Sequence, residues 1–369
     1  MGHWCLRLHA GYRCRHAGAC CRAGWSIPVE APAYEQLQVH FGAAAMRLFA
    51  AGNPPPDGAA AVLATTSDGS CVFFEPARGN LCAIHRELGP ASLPSACRHF
   101  PRVVLSDGRG TRISLSHFCP TAAGLLTCDS AGFDIVEAPE SLTLGGSAEG
   151  LDARQVLPPL LRPGMLTDLE GYDAWERRAL AMFARADLSA GRALADIAGA
   201  TRTVQAWQPG TASLRETVER EFDVASAAKP DEDLDADDAG SVAVLSRVER
   251  ALRSIPSGLP QPRLCETFGE DWPRIAVWWP EVQPVVRAYL AARLFGNWVA
   301  YYGQGLHVVV EYLQVALAVV KMEAVKHAAK TPSSPWQTVT EAIRNADLLL
   351  VHLADPRTLA RALTLSRRA

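Results

Sequence analysis

The sequence predicts a mostly α-helical protein, in which a small irregular α+β domain rich in cysteine, residues 1–130, is followed by an all-α helical domain, residues 131–369. Eight of the ten cysteines precede residue 120. Short apolar runs between turn residues are typical of the first part, whereas later residues place apolar side chains at helical spacing. With 369 residues, the chain is long enough for two hydrophobic cores.

The cysteine-rich part contains patterns for one helix and one hairpin. A helix is predicted over residues 32–51, because Pro32 suits a first helical turn, apolar residues recur on one face, and Gly52 can end the helix. A hairpin is predicted from two β-type runs, 102–105 and 111–116, joined by a turn rich in glycine.

The second part has helical periodicity and one acidic interruption. Asp173 is predicted to cap a helix that runs through Ala184. The dense like charges of residues 226–241 predict a disordered acidic loop, with an acidic docking segment as the alternative. Further helices are predicted over 212–222, 241–253, 282–302, 306–328, 335–353 and 356–366.

Composition and charge indicate the compartment and the classes of partner. The net charge of −3 gives no basis for nucleic acid or an anionic membrane surface as a partner. The longest apolar stretch, 306–320, is interrupted by polar residues and is too short to span a bilayer. The first residues lack the apolar segment of a signal peptide. We therefore expect a cytoplasmic protein with reduced thiols and no membrane partner.

Seven of the cysteines form the main candidate site, and thiolates are soft ligands suited to zinc or iron–sulfur centres. Such a centre usually takes four protein ligands, so the surplus favours a cluster with supporting thiols, or two centres. Cys5, Cys128 and Cys265 are expected to pack as small apolar side chains. The predicted metal ligands are Cys14, Cys20, Cys21, Cys71, Cys82, Cys97 and Cys119.

The adjacent pair Cys20 and Cys21 bears on how many metal atoms are bound. Neighbouring side chains of an extended segment point to opposite sides, so the two thiols are not expected to bind one ion. One thiol then packs while the other binds, or two sites adjoin, or a larger cluster is held.

Basic side chains accompany the seven cysteines. Five arginines are candidates to compensate thiolate charge, although arginine is also simply abundant in this chain, and four histidines are candidates for additional ligands or for their hydrogen-bonded neighbours. These residues are Arg13, Arg15, Arg22, Arg98 and Arg102, and His16, His85, His99 and His117.

The motifs around these cysteines resemble those of the flagellin lysine-N-methylase family, which belongs with broader cysteine-cluster proteins described as zinc or iron chelators. The resemblance covers residues 11–126, and a weaker resemblance covers residues 289–298. It is carried by Cys14-x5-Cys20-Cys21-x2-Gly24-Trp25, by Asp68-Gly69-x-Cys71-x-Phe73 with Leu81-Cys82, by Cys97-x2-Phe100-Pro101-Arg102, and by Ser114-Leu115-Ser116-x2-Cys119-Pro120. One departure is Ala19, where such proteins usually have an acidic residue.

The resemblance implies an iron–sulfur protein that methylates exposed lysines of a protein substrate, such as flagellin, with S-adenosylmethionine as methyl donor. It gives the ligand role to the same seven cysteines. No glycine-rich turn of a conventional methyltransferase is present, so the S-adenosylmethionine site would be unconventional, and an iron with only three thiolate ligands is one hypothesis.

Two alternatives stay open. The chain could be a non-catalytic zinc- or iron-chelating protein with a structural, delivery or redox-sensing role. Asn297, Trp298, Tyr301 and Tyr302 could line a pocket for a lysine side chain, since aromatic faces attract ammonium groups, or could pack in a helical core. The sequence assigns no catalytic residue.

Overall fold

The computed structural model describes residues 2–42, 48–50, 55–56, 58–127, 130–143, 150–210, 212–227 and 268–365. Its first part mixes short helices with a five-stranded sheet, and its second part consists of packed helices. The predicted fold class is therefore confirmed. Cys128, Cys265 and the predicted helix 241–253 lie outside the described residues, as does the predicted acidic loop from residue 228 onward.

The strands are short except for one central hairpin. They are β1 His3–Leu6, β2 Pro28–Val29, β3 Ala61–Val62, β4 Phe74–Glu75, β5 Leu81–Cys82, β6 Arg102–Asp107, β7 Gly110–Leu115, β8 Ile135–Glu137, β9 Leu151–Asp152, β10 Leu160–Arg162 and β11 Met165–Leu166.

The predicted hairpin is confirmed as β6 and β7, which pair antiparallel from Arg102↔Leu115 to Asp107↔Gly110. It lies near the middle of a sheet with the order β8-β1-β7-β6-β9, in which β1 runs parallel to β7. Val104, Ile113 and Leu115 are buried, because alternate side chains of a strand share one face.

The sheet continues past residue 130, the predicted end of the first domain. β8 pairs with β1, and β9 pairs with β6. The hairpin of β10 and β11 follows, and the long helices begin only at Leu169. Pairing with the central strands thus joins β8 and β9 to the mixed part of the chain.

The cysteine-rich segment has a small apolar core of its own. It consists of Val29, Leu37, Ala61, Leu63, Phe73 and Ile84. The predicted helix 32–51 is observed as Ala31–Phe41. Its predicted end is wrong because Gly42 adopts a positive φ of 54°, which leaves the helical conformation. Residues 43–47 and 51–54 lie outside the described part.

The helices vary from one turn to seven. They are Arg7–Ala10, Ala31–Phe41, Ala83–Leu88, Ser95–His99, Pro120–Ala123, Glu140–Thr143, Leu169–Ala184, Ala190–Val204, Leu214–Ala227, Phe268–Ala276, Gln283–Leu294, Val299–Tyr302, Leu306–Lys330, Pro335–Asp347 and Pro356–Leu365, with a π-helix at Leu348–Leu353. No helix in the described ranges is both long enough and apolar enough to cross a membrane.

Two predicted helix boundaries are wrong for local reasons. The helix Leu169–Ala184 is capped by Asp168, whose carboxylate accepts from Gly171 N–H at 2.6 Å, and not by Asp173. Ser226 and Ala227, predicted to begin the acidic loop, are helical, and the carbonyl of Ser226 accepts from the Arg185 guanidinium at 2.8 Å.

The predicted helix 282–302 is interrupted between Leu294 and Val299. Gly296 has a φ of +63°, and its N–H donates to the buried carboxylate of Glu176 at 3.1 Å. Glu176 also accepts from Arg112 of β7 at 2.9 Å. This buried carboxylate therefore joins the sheet, the helix Leu169–Ala184 and the interrupted segment.

A second buried carboxylate joins the last helices to the sheet. Asp347, at the end of the helix Pro335–Asp347, accepts from the backbone N–H of His117 at 2.5 Å and from Tyr289 OH at 3.0 Å. His117 lies two residues before Cys119, so this contact fixes the segment that carries one of the predicted ligands.

Candidate metal centre

The seven predicted ligands line one cavity of about 750 Å³, which we call the thiol cavity. Several separate turns and helix ends deliver them. Cys14 lies in a loop, Cys20 and Cys21 in the 3-10 turn Cys20–Arg22, and Cys71 just after the Asp68-Gly69 turn. Cys82 precedes the helix Ala83–Leu88, Cys97 lies in the helix Ser95–His99, and Cys119 precedes the helix Pro120–Ala123.

The Cys20 and Cys21 thiols lie on the same side of their turn, with sulfur atoms 3.9 Å apart. The expectation that they point to opposite sides is wrong, because the segment is a 3-10 turn and not an extended strand. Two thiolates on one tetrahedral ion, with bonds of about 2.3 Å, stand about 3.8 Å apart. The pair can therefore bind the same metal atom.

Cys82 is the thiol that ionises most readily among those with a resolved pKa value. A hydrogen bond from the Cys21 thiol outweighs burial, and together with backbone N–H groups of His85 and Ile84 it lowers the pKa of Cys82 to about 7. The same kind of bond to Cys21 lowers the pKa of Cys20, and Cys21, as the donor, has a raised pKa. The lowered pKa favours the thiolate form of Cys82, which directly precedes the helix Ala83–Leu88.

Burial has the largest effect on the pKa of two further thiols, those of Cys71 and Cys97. It raises the pKa of Cys71 to about 11, and it raises the pKa of Cys97 well above its ordinary value. The charges of Cys20, Cys71 and Cys82 each raise the pKa of Cys97 further, because thiolates that line one cavity repel one another. A bound cation would remove that repulsion.

Cys14 and Cys119 are the remaining two predicted ligands in the thiol cavity. The Tyr12 hydroxyl lies 3.9 Å from the Cys119 sulfur. Burial raises the pKa of Cys14, and the nearby Cys119 and Cys20 raise it further. Arg102 stands over the Tyr12 ring, with its guanidinium carbon 5.7 Å from the ring centroid.

Arg102 is the arginine best placed to compensate thiolate charge. Its guanidinium donates to backbone carbonyls of Leu142 at 2.7 Å and Ser141 at 2.7 Å, and no carboxylate in the described part of the chain pairs with it. It lines the thiol cavity and interacts electrostatically with Cys14. Of the other predicted arginines, Arg98 lines the cavity, whereas Arg13, Arg15 and Arg22 do not.

The predicted histidines divide between the cavity and the core. His16 and His85 line the cavity with ring centroids 5.0 Å apart. His99 also lines it, and its Nδ1 lies 3.0 Å from the Ser95 hydroxyl. His117 is fully buried, and its Nδ1 faces Asp347 instead of the cavity.

The thiols surround a volume instead of a single point. In the ranges that the structure describes, no group of three or more His, Cys, Asp or Glu side chains is arranged to hold a metal ion. The donor set is nevertheless chemically suited to iron–sulfur clusters, which are held by thiolates spread over several metal atoms. The residues fit a polynuclear thiolate centre better than one closed zinc site.

The far wall of the cavity comes from the helical part, of which only Asn297 and Trp298 were candidates in the sequence. Arg293, Tyr312 and His352 line it. Arg293 is nearly fully buried, and its guanidinium donates to the Leu115 carbonyl at 2.5 Å. Burial lowers the pKa of His352 to about 4, so this imidazole is neutral near pH 7. The weaker family resemblance at residues 289–298 was the one sequence signal for this wall.

Only two of the four residues of the predicted lysine pocket line the thiol cavity. Asn297 and Trp298 line the thiol cavity. Tyr301 instead donates to Asp107 at 2.7 Å, and the Tyr302 ring lies 5.1 Å from the Arg357 guanidinium carbon. Cys5 is buried in β1 and is not among the lining residues.

Comparisons of the chain with protein-family models, with curated proteins and with solved structures find no significant match. No relative therefore assigns a role to any residue of the thiol cavity. The function has to be argued from the side chains that line the cavity and from the motifs around them.

Proposed function

We propose that the seven cysteines hold an iron–sulfur cluster, and that the protein is an S-adenosylmethionine-dependent enzyme similar to protein lysine N-methylases. The observation that carries this proposal is the shared cavity, since cysteines spread from residue 14 to residue 119 all line it. Thiols collected from so many loops would be an unusual way to build an apolar core. A reducing compartment such as the cytoplasm suits such a centre.

A cluster accounts for the number and spread of the thiols. Seven thiols exceed the ligands that one closed zinc site requires, and within the described residues they do not converge on one ion position. A cluster bound there would supply a redox-active, Lewis-acidic iron at one end of the cavity. The protein contributes a buried wall, the compensating charge of Arg102 and the hydroxyl of Tyr12 near Cys119.

The remaining cavity supports a reaction beside the cluster. It continues from the thiols to Arg293, Tyr312 and His352, so a small molecule can lie between the two walls. Trp25, Phe100 and His352 contact one another there, with ring centroids 4.6 to 5.8 Å apart, and give the cavity an aromatic lining. Methyl transfer to a lysine amine needs a volume that accepts both the amine and the cationic methyl donor, and aromatic faces attract such cations.

A non-catalytic zinc protein is the second candidate, and the Cys20 and Cys21 pair favours it. Their 3.9 Å separation matches one sulfur–sulfur edge of a tetrahedral zinc site. On this alternative the remaining thiols form a second site or pack, and the cavity carries no reaction.

Anaerobic purification separates the two candidates. Iron with acid-labile sulfide and a broad absorbance near roughly 400 nm is expected for the cluster, whereas stoichiometric zinc in a colourless protein would establish the alternative. S-adenosylmethionine should then raise the thermal midpoint of the iron-loaded protein. An iron-loaded protein that neither binds S-adenosylmethionine nor methylates a lysine-bearing protein would refute the enzymatic part of the proposal.

A further inference from the structure

We propose that four exposed arginines beside the thiol cavity bind an acidic segment of a protein partner. These residues are Arg13, Arg15, Arg22 and Arg98, and we call them the arginine rim. The binding itself is independent of the proposed function, whereas the identity of the partner as the lysine-bearing substrate rests on it.

The arginine rim follows the cysteines that line the cavity. Arg13 and Arg15 flank Cys14, Arg22 comes directly after Cys21, and Arg98 comes directly after Cys97 and lines the cavity itself. Since consecutive Cα atoms are about 3.8 Å apart, each arginine starts within one residue of the cavity wall. A partner that contacts the rim is therefore positioned to reach the cavity.

The residues that the structure describes do not neutralise the charges of the rim. All four arginines are exposed, and in the described part of the chain no carboxylate pairs with any of them. Residues 1–29 contain four arginines and no Asp or Glu. Exposed arginines elsewhere commonly have a carboxylate partner, as in Arg154 with Asp152 at 2.5 Å and Arg215 with Glu219 at 3.0 Å.

Charge compensation of the thiolates does not account for the rim. Compensation requires a guanidinium held near the sulfur atoms and away from water, and Arg102 occupies that place. The four rim arginines are exposed, although the Arg22 guanidinium carbon lies 5.7 Å from the centroid of the Phe74 ring, so water and salt screen their effect on the thiols. Their unpaired charge is instead available to a molecule that arrives from outside.

A protein carboxylate suits this surface better than nucleic acid does. The whole chain has a net charge of −3, so a long polyanion would be attracted at the rim and repelled elsewhere. A short acidic segment meets only the rim. Arginine also binds carboxylates through two parallel N–H donors, which gives orientation as well as attraction.

Fluorescence anisotropy with labelled peptides tests the inference on the full, metal-loaded chain. The probe is a peptide with one lysine flanked by Asp and Glu, and its control replaces every Asp and Glu by Asn and Gln. Arg13→Gln, Arg15→Gln, Arg22→Gln and Arg98→Gln are measured singly and together. Arg202→Gln, an exposed arginine of the helix Ala190–Val204, is the matched control.

The acidic peptide should bind, and salt should weaken its binding. Each rim substitution should raise its Kd by roughly two- to fivefold, whereas Arg202→Gln should leave it unchanged. Metal content should equal that of the wild type in every variant. Equal binding of the uncharged peptide, unchanged Kd values in the combined variant, or preference for a single-stranded oligonucleotide would overturn the inference, as would loss of metal from the rim variants.

The outcome is separable from that of the proposed function. Peptide binding that depends on the rim, in a protein that holds zinc and transfers no methyl group, would support the surface and refute the enzyme. If the protein holds iron and methylates lysine, but its peptide affinity does not depend on the rim arginines, the proposed function would be supported and binding by the arginine rim would be refuted.

Discussion

Replacing Asp347 by asparagine tests how the helical part holds the segment that carries Cys119. The carboxylate is fully buried and accepts hydrogen bonds from His117 and Tyr289, and the Arg293 guanidinium lies 3.6 Å away. Burial alone would raise its pKa, but the charge of Arg293 and the hydrogen bonds from His117 outweigh burial and lower the pKa to about 2.

The lowered pKa gives the size and the sign of the expected effect. Relative to an ordinary value of 3.8, it corresponds to about 2.5 kcal/mol of stability at neutral pH. Because the folded protein holds this carboxyl ionised more strongly than the unfolded chain does, the contribution is complete above about pH 4. It is lost as the pH falls towards 2, and about half of it is left at pH 3.

Urea denaturation followed by tryptophan fluorescence at pH 7 and pH 3 measures this effect. Asp347→Asn should lower the free energy of unfolding by about 2 to 3 kcal/mol at pH 7 and by about half as much at pH 3. Asp134→Asn is the control, because its ion pair with Arg7 is exposed and should contribute less than about 1 kcal/mol. A loss below about 0.5 kcal/mol at pH 7, or the same loss at both pH values, would refute the reasoning.

Three further predictions concern the buried ion pairs, the turn before Cys20 and the ligands. Glu176→Ala should cost about 2 to 3 kcal/mol, because Arg112 keeps Asp173 as a partner but loses one of its two carboxylates, and the buried Gly296 N–H loses its acceptor. The exposed Glu219→Ala should cost about 0.5 kcal/mol or less in the same denaturation assay. Gly18→Ala should lower the thermal midpoint and the metal content, because the φ of Gly18 is +70° and the new Cβ would lie 2.7 Å from the Phe74 ring. Gly11→Ala is the control and should change neither, because the space around Gly11 is open. Serine at each of the seven predicted ligands should reduce bound metal measured by elemental analysis, and Cys5→Ser should retain it; a uniform result across all eight variants would contradict the ligand assignment.

Local chemistry in the sequence was sufficient for several features. The two β-type runs 102–105 and 111–116 and the glycine-rich turn between them predicted the central hairpin, because strand propensity and turn preference are both local properties. The concentration of cysteines before residue 120 predicted a thiol constellation, since cysteines in an uneven pattern are rarely spread through a core by chance.

Other features depended on distant partners. The helix predicted over 282–302 is broken at Gly296 because Glu176, more than one hundred residues earlier, accepts its N–H. The strands β8 and β9 are too short to be recognised alone and exist because β1 and β6 pair with them. Cys20 and Cys21 face the same side because their segment is a tight turn, which the sequence did not distinguish from an extended one.

By itself, the sequence determined that this chain joins a cysteine-rich α+β part to a helical part, because composition and periodicity are properties of the chain. Only the tertiary structure decided that all seven cysteines share one cavity, and that Arg293, Tyr312 and His352 form its opposite wall. The physical reason is that a cavity is bounded by side chains far apart in sequence. Their meeting is fixed by buried contacts, such as those of Glu176 and Asp347, that no local pattern records.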